Sequence, residues 1–372
     1  MQSTDQAVAL PDPEPMFTRP AHPDAHHRVT APGGYEWWYV DAESHDGRTH
    51  VVAILFDGYV FHPGYLRADA WFRRQPTKVR PAIAADFPCA YCVVYRDGSI
   101  HRQFLTQVRP KDFEAATDRL HVRVGDSTLS GDDDRLRLSM SGTPWKLTAQ
   151  GPKLIEDETL SVDLQLQVAA GLQPAVGTSN EPSDRERTFL SHAMTGEHHG
   201  WIPAAPRCAV EGTVAGEPFQ GRAYHDHNYG TGPLGPGLRR WVWGRVFTDD
   251  RLVSFHLAEP ADRALPAERH AFEATDAGFA DLPADELAAD WSRRSKTGLS
   301  FPRTIRLGDR LQLSEPKVID DSPFYLRVAY DAVVDGKERV RALCEVGHPH
   351  RLRWPVLGRM IEMSIDKRRL QG

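Results

Sequence analysis

The stretch Leu160-Ser161-Val162-Asp163-Leu164-Gln165-Leu166-Gln167-Val168 places an apolar side chain at every second position and a polar one between. A helix, turning about 100° per residue, would scatter those apolar groups around its surface, whereas a strand gathers them on one face. The segment therefore reads as a strand with one dry face. The same alternation recurs at Leu120, Val122 and Val124, and at Leu136, Leu138 and Met140. Turn signals separate such runs: Asp97-Gly98, Gly131 to Asp134, Gly216-Glu217, Asp249-Asp250 and Asp335-Gly336. Strand, turn and strand in succession make an antiparallel meander. One-sided burial over so many strands fits an all-β chain of two barrel-like domains whose inward faces can line a ligand cavity.

At 372 residues the chain is long enough for two such domains, each with its own core. The two prolines of Trp201-Ile202-Pro203-Ala204-Ala205-Pro206-Arg207 precede a new run of strands and place the join near residue 204, giving domains of 31–204 and 205–372. Residues 1–30, rich in Pro, Asp and His, read as a disordered extension without the basic and apolar regions of a secretory signal. Gln173 to Ser183 reads as a loop insertion. One segment of the C-terminal half, Ala284 to Ser295, reads as a short helix with Leu287, Ala288 and Trp291 on one side.

A net charge of -6 gives no basic excess for nucleic acid and points to a small-molecule partner. The four cysteines, Cys89, Cys92, Cys208 and Cys344, are scattered, which suits a reducing compartment and structural thiols. A cytoplasmic protein is the expectation, with room for peripheral contact with a membrane. Oligomeric state is not legible.

Chemistry concentrates in Gly221-Arg222-Ala223-Tyr224-His225-Asp226-His227-Asn228-Tyr229-Gly230 and the Trp241-Val242-Trp243 that follows. In a strand, Tyr224, Asp226 and Asn228 share one face, and His225, His227 and Tyr229 the other. Gly33 to Ala42 contains Glu36-Trp37-Trp38-Tyr39, and His199 stands two residues from Trp201. Taken together, these residues present an acid among aromatic rings. A carboxyl held dry against an alkene keeps its proton near neutral pH, and the π faces of Trp37, Trp201, Tyr224 or Trp243 stabilise the resulting cation. Water adds next, oriented by His199 as a base; where water is excluded, a second double bond attacks and the pocket becomes a cyclase.

These motifs, in this order, resemble the carotenoid 1,2-hydratase (hydroxyneurosporene synthase) family and its lipocalin-like relatives, some of them pericyclases and cyclases. The sequence differs from that pattern in having His225 and His227 on both sides of Asp226, and Tyr229 in place of a Trp. The resemblance implies two lipocalin-like β-barrels, no cofactor, and hydration of a terminal double bond in a hydrophobic, acyclic isoprenoid. By position it makes Asp226 the proton donor and His199, Trp201 and Tyr224 its catalytic partners. Glu36, Trp37, Trp38, Tyr39, His225, His227, Asn228, Trp241 and Trp243 are assigned to the substrate. Two other readings use the same residues. His225 and His227, with His198 or His199 and Glu36, would form a metal site; alternatively, the aromatics line the pocket of a carrier in which Asp226 only anchors a loop. On the enzymatic reading Trp201 and Asp226 lie within ~15 Å of each other, in one ligand pocket.

Overall fold

In the computed structural model the described residues are 17–173, 181–192, 197–235 and 237–370. Nearly all regular structure is antiparallel strand, in two large curled sheets. The first runs, edge to edge, through Ser99–Gln107, Cys89–Arg96, Thr49–Asp57, Tyr35–Ser44, Glu217–Gly230, Glu197–Val214, Leu160–Val168 and Arg135–Gly142 to three short strands between residues 113 and 131. The second is centred on Leu238–Phe247, flanked by Arg251–Pro260 and Glu338–Gly347. The alternation that identified the 160–168 strand is met: Leu160, Val162, Leu164, Leu166 and Val168 are all buried between exposed or half-exposed neighbours. Its register against the 135–142 strand sets Leu164 opposite Leu138 and Leu166 opposite Leu136. At the Asp97-Gly98 hairpin both residues take positive φ, 50° and 76°, the geometry of a tight two-residue turn.

The chain changes sheet between Gly230 and Leu238. Residue 204 lies inside the Glu197–Val214 strand, which belongs to the first sheet along with the 217–230 strand. The prolines there do not end the strand; they accompany register shifts between Ile202 and Cys208, where bulges absorb missing backbone donors. The N-terminal segment also corrects the expectation from composition. From residue 17 onward it packs on the outer face of the first sheet, burying Asp24, Ala25, His27 and Val29. Its polar residues serve a buried hydrogen-bond network rather than solvent. Residues 1–16, and most of the expected 173–183 insertion, lie outside the described residues.

The expected helix at 284–295 is absent. A single 3₁₀ turn, Ala284–Glu286, leads into an edge strand, Leu287–Asp290, paired with Thr304–Leu307. Leu287, Ala289 and Trp291 pack on the second core at a spacing of two, which the periodicity of so short a segment did not separate from a helical one. Among the described residues the two α-helices lie elsewhere: α1, Pro63–Arg74, capped by the His62 side chain, and α2, Pro355–Ser364. All four cysteines are free and buried.

The sheets are joined by buried charge. Arg245 of the 238–247 strand donates to Asp41 at 2.5 Å and to Glu43, while Arg327 reaches Asp41 and donates to Glu345 at 2.7 Å. Both guanidinium groups are fully buried and so is Asp41. Such charges persist in a dry interior only because each is paired and hydrogen-bonded. Tyr39 donates its hydroxyl to Glu345 at 2.7 Å and ties this junction to the cavity wall.

Candidate active site

A cavity of about 480 Å³ lies between the sheets. The first sheet contributes Trp37, Tyr39, Trp201, His199, Asp226 and Asn228, and the second contributes Trp241, Trp243, His256 and Glu345. Strand pairing explains this convergence. The register puts Trp37 and Trp201 both opposite Asn228 and Tyr39 opposite Asp226, so three neighbouring strands turn the same face inward.

Asp226 is the polar centre of that face. Its Oδ2 accepts from Trp201 Nε1 at 2.8 Å and from the Tyr224 hydroxyl at 2.7 Å, and its Oδ1 accepts from Asn228 Nδ2 at 2.6 Å. Trp201 Nε1 is shared with the Tyr224 oxygen at 3.1 Å. Burial pushes the Asp226 carboxyl up to about 6, although the donors from Tyr224, Trp201 and Asn228 favour its ionised form. Tyr224, wholly buried, does not line the cavity but backs the carboxyl, with burial first and Asp226 second in holding its hydroxyl protonated. Trp243 stands over this pair, its ring 5.2 Å from Tyr224 and 5.5 Å from Tyr39. His199 lies beside Trp37, with its Nδ1 3.0 Å from the Tyr35 hydroxyl.

The opposite face of the same strands has a different use. Glu36, Trp38, His225 and His227, assigned to the substrate from sequence, point away from the cavity and beneath the N-terminal segment. His225 Nε2 is 2.7 Å from Asp24, and Trp38 donates to the Asp24 carbonyl at 3.0 Å. Glu36 Oε1 accepts from His227 at 2.8 Å and from the His27 backbone at 2.7 Å. Burial opposes ionisation of Glu36, but the charge of His26 and the His227 and His27 hydrogen bonds hold its carboxyl below the usual carboxylate range. These four residues are corrected from substrate contacts to supports, because the strand period that brings Asp226 inward carries its neighbours outward.

The ligand set named for a metal is likewise not assembled. His225 is engaged with Asp24, His199 faces the cavity, and the side chain of His198 lies outside the described residues. Among the described residues, two other groupings have suitable ligand types, His27 with Glu36 and His227, and His26 with Glu36 and Asp57. Both are parts of the buried network beneath the N-terminal segment.

Several cavity residues were not found from sequence. His256, paired in register with Trp243, lies 5.8 Å from the Trp201 ring, and burial keeps its imidazole neutral. Asp320, half-buried and accepting from the Tyr95 hydroxyl at 2.9 Å, is pushed up to about 6 by burial. Leu357, Met360 and Ile361 of α2 close one side. His256 shares a strand face with Leu252 and Ser254, but that local period does not say which cavity the face meets.

The family model for carotenoid hydratase CrtC matches residues 53–371. Hydroxyneurosporene dehydrogenase of Chlorobaculum tepidum is 27% identical over 357 residues, covering 87% of this chain and 85% of that protein. The acyclic carotenoid 1,2-hydratase of Rubrivivax gelatinosus is 26% identical over 302 residues, covering 80% of this chain and 64% of its own length. Among solved structures, protein NE1406 of Nitrosomonas europaea has a similar fold, with a TM-score of 0.54 at 15% identity, over 85% of this chain and 92% of that one.

Proposed function

The chain belongs to the carotenoid hydratase family, and from that premise we propose that it adds water to a terminal double bond of an acyclic, carotenoid-like isoprenoid, with Asp226 as the proton donor. The observation that carries this reading is a buried carboxyl, held up to about 6, in the wall of an aromatic cavity. An alkene is a very weak base. Its protonation needs an acid that is not levelled by water, and a site that tolerates the cation formed.

The Asp226 O–H bond breaks and its proton joins the less substituted alkene carbon, using the π electron pair and leaving a tertiary cation next door. The new carboxylate is stabilised by the same donors, Trp201, Tyr224 and Asn228, that surround the acid. The rings of Trp37, Trp201, Tyr39 and Trp243 present electron-rich faces to the cation. A water oxygen then bonds to the cationic carbon and gives up a proton to an imidazole on the cavity wall, that of His199 or of His256, which burial keeps neutral. Transfer of a proton back to Asp226 completes the cycle. Asn228 has a further part: turning its amide would present an oxygen to the protonated Asp226 Oδ1, so one side chain can serve both protonation states.

The test is incubation of the purified full chain with an acyclic carotene in D₂O. Hydration installs one carbon-bound deuterium and a tertiary hydroxyl. A product of unchanged elemental composition would mean cyclisation or isomerisation, and recovery of bound but unaltered carotene would mean a carrier.

A further inference from the structure

The mouth of the cavity carries a second pattern that proton transfer does not use. The hairpin formed by Trp145–Thr148 and Gly151–Leu154 stands beside α2, close enough that a Cβ on Gly151 would lie 3.0 Å from the Met363 methyl. Leu147 both lines the cavity and is 67% exposed, so the cavity opens there. Further along α2, at its N-terminal end, Trp354 is 51% exposed and Val356 73%. Across a shallow groove α1 contributes Arg67 and, one helical turn further on, Trp71, 65% exposed. Large apolar groups are seldom left this bare in a cluster.

Charge decides what would cover them. The three segments of this rim, residues 63–74, 145–154 and 349–364, contain eight Lys and Arg against two acidic residues, in a chain whose net charge is -6. Both acids are already engaged, Asp69 with Arg73 and Glu362 with Lys367. Arg67, Lys146, Lys153, Arg353 and Arg359 are exposed. Bare aromatic and aliphatic groups among unopposed basic ones are the pattern of a surface that enters the interface of an anionic bilayer.

We infer that this rim docks on anionic lipid membrane and that the apolar substrate passes from bilayer to cavity at Leu147 without crossing water. The inference rests on the hydratase reading for the identity of what passes. Docking itself is measured without turnover, so either idea can fail alone.

The experiment is sedimentation of the full chain with phosphatidylcholine vesicles, with and without phosphatidylglycerol, at low and high salt. Binding is expected only with the anionic lipid and is weakened by salt. Each basic group near such a surface is worth about fivefold in affinity, so Arg353→Glu/Arg359→Glu should weaken binding by about thirtyfold or more. Trp354→Ser/Val356→Glu should weaken it through lost insertion, with circular dichroism confirming that both variants are folded. Arg306→Glu/Arg339→Glu, exposed positions on the second sheet, carries the same charge change and should bind like the parent. Failure to bind anionic vesicles overturns the inference, as does equal loss in the control variant. A dimer in light scattering that Val356→Glu dissolves, without vesicle binding, would assign the rim to a second copy of the chain and also overturn it.

Discussion

Replacing Asp226 by Asn tests the acid and its environment together. The variant keeps the size of the side chain and an oxygen for Trp201 and Tyr224 but has no acidic proton to deliver. Loss of a general acid ordinarily costs ~10²- to 10⁴-fold, and the higher figure is expected here because the transferred proton creates the cation. Stability gives an independent readout. Burial raises the Asp226 carboxyl from 3.8 to about 6, so the fold prefers the protonated acid. For a raised value, the contribution to stability is full below the unfolded value and is lost as pH rises through the folded one. The parent should therefore lose stability between pH ~4 and ~6 from this group, by up to about 3 kcal/mol at ~1.4 kcal/mol per unit. Asn228 must turn to face the new amide, at a cost of about 1 kcal/mol. Compared with the parent, the Asn variant should thus be slightly less stable near pH 4 and more stable, by about 2 kcal/mol, near pH 8. Urea unfolding at the two pH values measures this difference, and carotene turnover measures the first effect. Turnover within tenfold of the parent would remove Asp226 as donor; a stability difference independent of pH would refute the raised carboxyl.

Further outcomes follow from the same geometry. Turnover of the parent should fall about tenfold per pH unit above pH ~6, as Asp226 ionises. Trp201→Phe removes the donor at 2.8 Å that favours the carboxylate, so that alkaline limb should move to higher pH, and an unmoved limb would contradict control by this hydrogen bond. Arg245→Ala leaves Asp41 and Glu43 buried and short of a cation and should cost about 3–5 kcal/mol in chemical denaturation, whereas a loss below 1 kcal/mol would show the sheet junction to be hydrated. His225→Ala should lower stability by about 1–3 kcal/mol, because Asp24 loses its partner, yet leave KM for carotene unchanged; a raised KM would return His225 to the substrate.

How much of this was legible beforehand depends on the range of the interaction. Asp226, Tyr224 and Asn228 were placed together correctly because a strand's period of two acts over neighbouring residues, and the same rule put His225 and His227 on the other face. That Trp201 and Asp226 lie within ~15 Å of each other, in one pocket, was expected on the enzymatic reading, and their hydrogen bond of 2.8 Å is well inside that reach. The roles of Glu36, Trp38, His225 and His227 were misread because alternation says that two faces exist, not which one is covered by residues 17–30. The segment 284–295 was misread because few residues distinguish a period of two from one of 3.6. His256, Asp320 and Glu345 were invisible as site residues because only the approach of the second sheet brings them to the cavity. Backbone periodicity is local and written in the order of residues, so sequence by itself determined an antiparallel all-β chain with an acid among aromatics. Which strands meet, which face is dry and how far burial raises a carboxyl depend on contacts between distant residues and on the exclusion of water, and tertiary structure alone decided them.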